Sequence, residues 1–489
     1  MSDKILSTDE KALSVNLDDR KYGTFAEIGA GQEVVRHFFQ AGASAGTICK
    51  SMSAYDMKFS DEIYGQCDRY VSRHRLMQML EHEYSLLEER LTEARGDDTT
   101  FFAYANTVAA QSFRGGRECH GWMGIRFQLT PEAPPSDIVL HVRLLDETNL
   151  QQQDALGIIG VNLVHGAFFH RDNPKEFINA LGDNLGHERI EVDMIQFLGN
   201  GFEEIDNRIL SLLLVQAELT KAALFNSEGN VCMPADSFYK KSILVERGSF
   251  QPVNNVHIDM LECAKKRFFE LPEVNEDNLC VIFELNLATI AKGEEIDLMD
   301  FLYRVDTITA LGHNVLISNY LEYYRLSNYL RTWTKNPLGI VLGLSNLADI
   351  FQESYYDNLG GGILEAFGRL FKHNVKLYVY PMTHSSFQKY QQIRELPEDD
   401  SPVQLESLKG VPVITASSYR PATNLKPLYQ YVMEHDFIES MDDFDPDCLD
   451  IFSRDTISKI LNNDSDWERE VPPEVAQIIK TRKLWGYDD

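Results

Sequence analysis

From Ser242 onward, short apolar runs alternate with amphipathic stretches at a near-constant spacing, and this rhythm constrains the fold more than any other feature of the chain. "SILVERG", "NLCVIFELNL", "NVLISNY", "LGIVLGL" and "VKLYVYP" read as strands. Between them, "NVHIDMLECAKKRFFEL", "LMDFLYRVDTITALG", "EYYRLSNYLRTWT" and "GGGILEAFGRLFKH" read as helices. Runs this apolar suit strands buried on both faces, and parallel neighbours need a crossover helix between them. The expected class is α/β: a doubly wound parallel sheet, Rossmann-like, over residues 237–440.

The first half is less regular. Residues 1–98 are expected to be mostly helical, because "YVSRHRLMQMLEHEYSLLEERLTEARG" places Val71, Leu76, Met79, Leu80, Leu86 and Leu87 near helical spacing. "TFAEIGAGQEVVRHFF" at 24–39 has the outline of strand, Gly-x-Gly turn and helix, but a third glycine is missing and "YGTFAEI" makes a poor buried strand. An ordinary helix start is the expectation there. Residues 99–236 mix strand-like and helix-like pieces and are expected to form a mixed α/β domain. Residues 441–489 read as an acidic, partly helical tail.

The balance of 75 acidic against 46 basic residues gives a net charge of -29. Phosphate backbones and anionic membranes select clustered Lys and Arg, so neither a nucleic acid nor a membrane surface is an expected partner. A small phosphorylated ligand needs only a local basic group and a helix N-terminus, and stays open. The acidic runs "PEDD" at 397–400 and "ESMDDFDPDCLD" at 439–450 read as solvated surface. Seven scattered cysteines fit reduced thiols rather than a disulfide framework. No apolar signal-like region opens the chain, and no run approaches the roughly 18 apolar residues of a membrane span. A soluble, cytoplasmic protein is expected.

The most informative local stretch is "RGSFQPVNNVH", where a strand hands over to a helix. In an open parallel sheet, ligands bind beyond the carboxyl ends of strands. Gly248 would let backbone approach a ligand, Ser249 offers a hydroxyl and an amide, Pro252 stiffens the turn, and Asn254 or Asn255 suits a helix cap. His257 would stand in the first helical turn, where free N–H groups favour an anion.

"GSFQPVNNVHIDMLECAKKRFFE" resembles the first motif of the nicotinamide/nicotinate mononucleotide adenylyltransferases, which reads approximately G-S-F-N-P-[IV]-T-x-x-H-L. The matching positions are Gly248, Ser249, Phe250, Pro252 and His257; Asn254 stands where that family has Thr or His. "ITASSYR" at 414–420 resembles the second signature, I-S-S-T-x-x-R, which binds triphosphate, with "LKPLYQYVMEHDFI" like the closing helix. Ser417 and Ser418 fall out of that signature's register, and "ISNYLEYYR" at 317–325 competes for the role. The resemblance spans about 240–440. The whole chain also resembles an uncharacterised bacterial family that carries either the adenylyltransferase name or the name TonB-dependent receptor. The second name lacks an export signal or porin-like alternation to support it.

The resemblance implies a nucleotidylyltransferase fold and adenylyl transfer from ATP to a mononucleotide, with pyrophosphate leaving. His257 and Asn254 would carry the chemistry. Gly248, Ser249, Phe250, Asn254, His257, Ser417, Ser418 and Arg420 would bind nucleotide, and Mg2+ would bridge phosphates, held by substrate and water. The opposing reading is a noncatalytic nucleotide sensor or scaffold that kept the turn and lost the chemistry. The first 236 residues are candidates for homo-oligomer contacts, a lid or a separate activity. Weaker candidates are Glu284 and Asp306 for a ribose or Mg2+, "NLGGGILEAFGRLF" for an anion, and Cys119, His120, His165 and His170 for a metal, although their spacing is not a zinc pattern.

Overall fold

The computed structural model describes residues 5–111, 118–291, 296–394 and 405–488. "PEDD" lies outside them. The chain divides into two compact units, residues 1–223 and 224–489.

In the first unit, α1 (Thr8–Asn16) leads into β1 (Lys21–Gly29), α2 (Val34–Ala41), β2 (Ile48–Ala54), α3 (Met57–Tyr64) and the long α4 (Arg73–Arg95). Then follow β3 (Thr100–Ala109), β4 (His120–Phe127), β5 (Ser136–Leu144), α5 (Asn149–Phe169), α6 (Pro174–Leu181), β6 (Ile190–Leu198) and α7 (Asn207–Gln216). Their six strands form one sheet in the order β2-β1-β3-β4-β5-β6. The β2-β1-β3 part is parallel, as its helical crossovers demand, and β3 through β6 run antiparallel.

The expected boundary after residue 98 is therefore corrected. β1 pairs with β3 from Lys21↔Thr100 to Gly29↔Val108, so both segments share one sheet. The helical expectation for 24–39 is corrected as well: this stretch is a buried strand, a Gly-Ala-Gly turn and a helix. β1 looks weakly apolar because its neighbours leave little room. A Cβ on Gly23 would stand 2.4 Å from the ring of Phe102, and Phe25 packs among Phe38, Phe102 and Tyr104.

The second unit opens with β7 (Ala222–Phe225), in which the boundary falls, β8 (Val231–Cys232) and α8 (Pro234–Ser237). The regular rhythm follows: β9 (Ser242–Arg247), α9 (Asn255–Phe268), β10 (Leu279–Asn286), α10 (Leu287–Ile290), α11 (Leu298–Thr309), β11 (Asn314–Ser318), α12 (Tyr323–Trp333) and β12 (Leu338–Gly343). Next come α13 (Leu344–Ile350), α14 (Gly362–Leu370), β13 (Val375–Tyr380), β14 (Met382–Thr383), α15 (His384–Ile393), β15 (Glu406–Leu408) and β16 (Val411–Ile414). The chain closes with α16 (Lys426–Glu434), β17 (Ile438–Ser440), α17 (Ser453–Leu461) and α18 (Pro473–Arg482).

The main sheet runs β17-β13-β12-β9-β10-β11-β7-β8, and β14, β16 and β15 form a small antiparallel sheet. The pairs among β9 to β13 and β17 are parallel. Counted along the chain, these six strands stand in the order 3-2-1-4-5-6, that of a doubly wound sheet. The direction of winding reverses at β9, between β10 and β12, the place where ligands bind in sheets of this order.

Residues 441–489 belong to this unit rather than forming a loose tail. Ile460, Trp467, Val471, Val475, Ile479, Leu484 and Trp485 make an apolar cluster with Tyr303 and Leu311 against it. Part of the acidic run is tied down too: Asp443 pairs with Lys266 at 2.8 Å, and Asp442 pairs with Arg267. Among the described residues, no helix is long and apolar enough to cross a membrane.

Candidate functional site

The turn after β9 sits at the winding reversal. Its backbone is shaped by Phe250, which adopts a left-handed conformation (φ 45°) and is fully buried. The Phe250 ring packs against His257 and Phe283, each with centroids 4.9 Å apart. A Cβ on Gly248 would come within 2.8 Å of that ring. Glycine is thus required here by Phe250, and Phe250 is a core residue rather than a surface awaiting a base. Below the turn, the Ser249 carbonyl accepts from Arg304, which pairs with Asp300 at 2.6 Å. Asp300 also accepts from Gln251 (2.6 Å) and from the indole N–H of Trp485 (2.7 Å).

At the start of α9, Asn254 is the N-cap. Its side chain accepts from the His257 N–H at 3.4 Å, and His257 Nδ1 accepts from the Asn254 N–H at 3.1 Å. This reciprocal cap has a chemical consequence. The Nδ1 lone pair is committed to a backbone donor, so the neutral ring carries its proton on Nε2. Burial drives the His257 pKa down to about 3, which keeps the ring neutral at pH 7. The residue as a whole is only half-buried, and the described residues supply no partner for Nε2. Part of the helix start is already occupied: the Asn255 N–H donates to the Glu470 carbonyl, and its side-chain amide to that of Arg469, both at 2.8 Å. Asn254 Nδ2 reaches Ser453 Oγ at 3.3 Å.

The other expected site residues make their hydrogen bonds elsewhere. Ser418 is buried in a tight turn with Thr415, its Oγ accepting from the Thr415 N–H at 2.9 Å. Ser417 donates to Ser440 Oγ at 3.0 Å, and Arg420 donates to the carbonyls of Ser417 and Tyr419 at 2.8 Å. The hydrogen bonds of Ser417, Ser418 and Arg420 thus go to Thr415, Ser440 and the segment's own carbonyls. In the competing segment, Arg325 pairs with Glu322 at 3.1 Å.

The weaker candidates find other roles. Glu284 is fully buried, paired with Arg247 at 2.6 Å and accepting from Ser318 at 2.5 Å. Asp306 pairs with Arg482 at 2.6 Å. The Gly361 N–H donates to Glu365 at 2.9 Å, so that glycine turn already holds a carboxylate. Cys119, His120, His165 and His170 form no metal-holding group, and no cluster of three or more His, Cys, Asp or Glu suited to a metal occurs among the described residues.

Two buried carboxylates escaped the sequence, and so did the partners of His120. Glu27, at the carboxyl end of β1, accepts from the Val34 N–H at 3.1 Å and the Asn106 side chain at 3.4 Å, and burial raises its pKa to about 8. Glu246 is buried in β9 with neither carboxyl oxygen partnered. His120, His141 and Asp193 are joined in a row. Nothing in their strands' sequences marks them out, and only strand register shows which of them meet.

No protein-family model matches the chain, and no curated protein matches it. Solved structures of the competence-damaged protein (CinA) superfamily match over the N-terminal third. A competence/damage inducible protein from Agrobacterium tumefaciens is 16% identical, covering 34% of this chain and 97% of its own, with a TM-score of 0.24. A superfamily protein from Klebsiella pneumoniae is 11% identical, covering 34% and 99%, with a TM-score of 0.26. One from Escherichia coli is 12% identical, covering 33% and 94%, with a TM-score of 0.22.

Proposed function

We propose that the second unit binds the phosphates of a nucleotide at the turn between β9 and α9 and carries out nucleotidyl transfer there. Adenylyl transfer from ATP to nicotinate or nicotinamide mononucleotide is the reaction its motif implies. The observation that carries this reading is the tautomer of His257: a neutral Nε2–H donor, fixed by the cap, at the winding reversal of a doubly wound sheet. Such a donor hydrogen-bonds a phosphoryl oxygen without needing a positive charge. The attacking mononucleotide phosphate would form the new P–O bond at the α-phosphorus of ATP as the bond to pyrophosphate breaks. His257 would stabilise charge that grows on the phosphoryl oxygens, and the turn would hold the reactants in line. Mg2+ would be carried in by the triphosphate.

A noncatalytic nucleotide-binding module is the second reading. Two observations favour it: the Asn255 amide is occupied by the Glu470 carbonyl, and Arg420 is folded onto its own neighbours' carbonyls. Calorimetric titration with ATP, Mg2+ and each mononucleotide, with pyrophosphate measured in the same samples, separates the two. The adenylyltransferase reading expects turnover that falls by about a hundredfold or more in His257→Ala. Binding without pyrophosphate supports the second reading, and no binding at all refutes both.

A further inference from the structure

In the first unit, β4 and β5 pair so that His120 lies opposite Arg143 and Trp122 opposite His141, which puts these side chains on one face of the sheet. On β6 the register shifts beside His141: Met194 lies opposite His141 and Val192 opposite Val142, which leaves Asp193 as the extra residue of a bulge. A bulge re-aims its side chain. Here it brings Asp193 Oδ1 to 2.5 Å from His141 Nδ1. The far nitrogen of His141, Nε2, is 3.0 Å from His120 Nδ1. Trp122 lies against the His141 ring, centroids 4.8 Å apart. Asp193 and His141 are each only 5% exposed, whereas His120 is half-buried.

The order of donors follows from chemistry. An ionised Asp193 can only accept, so His141 carries its proton on Nδ1. His141 Nε2 must then accept, so His120 also carries its proton on Nδ1. That leaves His120 Nε2 with a bare lone pair, and the described residues give it no partner. Burial and the neighbouring His141 both lower the pKa of His120, which keeps that lone pair free at neutral pH. The row ends at the edge of the sheet where β3 and β5 finish and β4 begins. A depression of about 430 Å³, lined by Gln111, Glu118, Arg143, Asp146 and Gln152, meets this row only through Arg143, the residue directly across from His120.

We propose that His120 is the proton-accepting group of a second site in this protein, independent of the nucleotide turn, with His141 and Asp193 as its positioning residues. Its substrate is water or a small neutral polar molecule bearing a hydroxyl. The hydroxyl proton passes to His120 Nε2 and the Nδ1 proton of His120 moves onto His141 Nε2. The resulting His141 cation is held by the Asp193 carboxylate. Glu118 and Asp146 in the depression disfavour an anionic substrate.

Two measurements on the full chain test this. Long-range 15N–1H correlation at pH 7.5 reads the tautomers directly: His120 and His141 are both expected as Nδ1–H, the reverse of His257. An Nε2–H tautomer at His120 overturns the proposal without recourse to a variant. The second measurement uses diethyl pyrocarbonate as a chemical probe. The Nε2 lone pair attacks a carbonyl carbon, an N–C bond forms, the anhydride C–O bond breaks and ethyl carbonate leaves, while the Nδ1 proton passes to His141. Modification of His120, located by peptide mass, is expected to slow by about tenfold in Asp193→Asn, because the carboxylate no longer stabilises the charge. An unchanged rate in a folded Asp193→Asn protein, or a His120 no more reactive than the exposed His74, refutes the relay.

Discussion

Glu246 offers the sharpest test of the physical picture. It sits near the carboxyl end of the central strand β9, beside Phe283 on β10 and Val341 on β12, and is 1% exposed with neither oxygen partnered. Burial alone raises its pKa well above 4.5. Glu246→Met keeps the length of the side chain and removes the polar group. A buried hydrogen-bonding group without partners costs about 1–3 kcal/mol, so the variant is expected to be more stable by that amount at pH 5. The gap should then grow with pH. The folded chain retains a proton that the unfolded chain releases above pH 4.5. The proton's stabilising contribution is complete below 4.5 and is lost as the pH rises towards the folded-state pKa. The wild type therefore loses roughly 1 kcal/mol per pH unit that the methionine variant keeps. Urea unfolding of the full chain at pH 5, 6 and 7, with amide exchange read at Ile243–Val245, measures both effects. A variant destabilised at pH 5, or a gap that stays constant from pH 5 to 7, refutes the reasoning and means that Glu246 is hydrogen-bonded or solvated.

Three further substitutions probe the turn and its support. Arg247→Met strands the Glu284 carboxylate and should cost about 3–5 kcal/mol in urea unfolding, most of it recovered when Glu284→Met is added. Gly248→Ala presses a methyl group onto the Phe250 ring and should cost about 1–3 kcal/mol, less when combined with Phe250→Leu. Asn254→Ala removes the cap of α9 and should cost about 1 kcal/mol, whereas Asn254→Ser should cost only a fraction of that, as thermal unfolding would register.

The expected doubly wound sheet was legible because its strands are buried on both faces, and such strands have to be written in nearly unbroken apolar letters. "SILVERG", "VIFELNL" and "LGIVLGL" became β9, β10 and β12 for this reason. The cap at Asn254 was legible too, since capping is local and needs only residues three apart. β1 was not. Its Gly23 is small because the Phe102 ring fills the space a side chain would need, a fact about β3 rather than about β1.

The sequence by itself thus determined the class of fold in the second half, the turn that interrupts it and the residues placed at that turn, all of which depend on spacing along the chain. Tertiary structure alone decided which polar groups meet. It set the tautomer of His257, folded Arg420 onto the carbonyls of Ser417 and Tyr419, brought Ser453, Arg469 and Glu470 to the start of α9, and aligned Asp193, His141 and His120 through a one-residue bulge. The reason is physical. A hydrogen bond is lost over about half an ångström, while a strand slipped by one residue turns every side chain to the other face. Chemistry of this kind is written in register and packing, which no local pattern records.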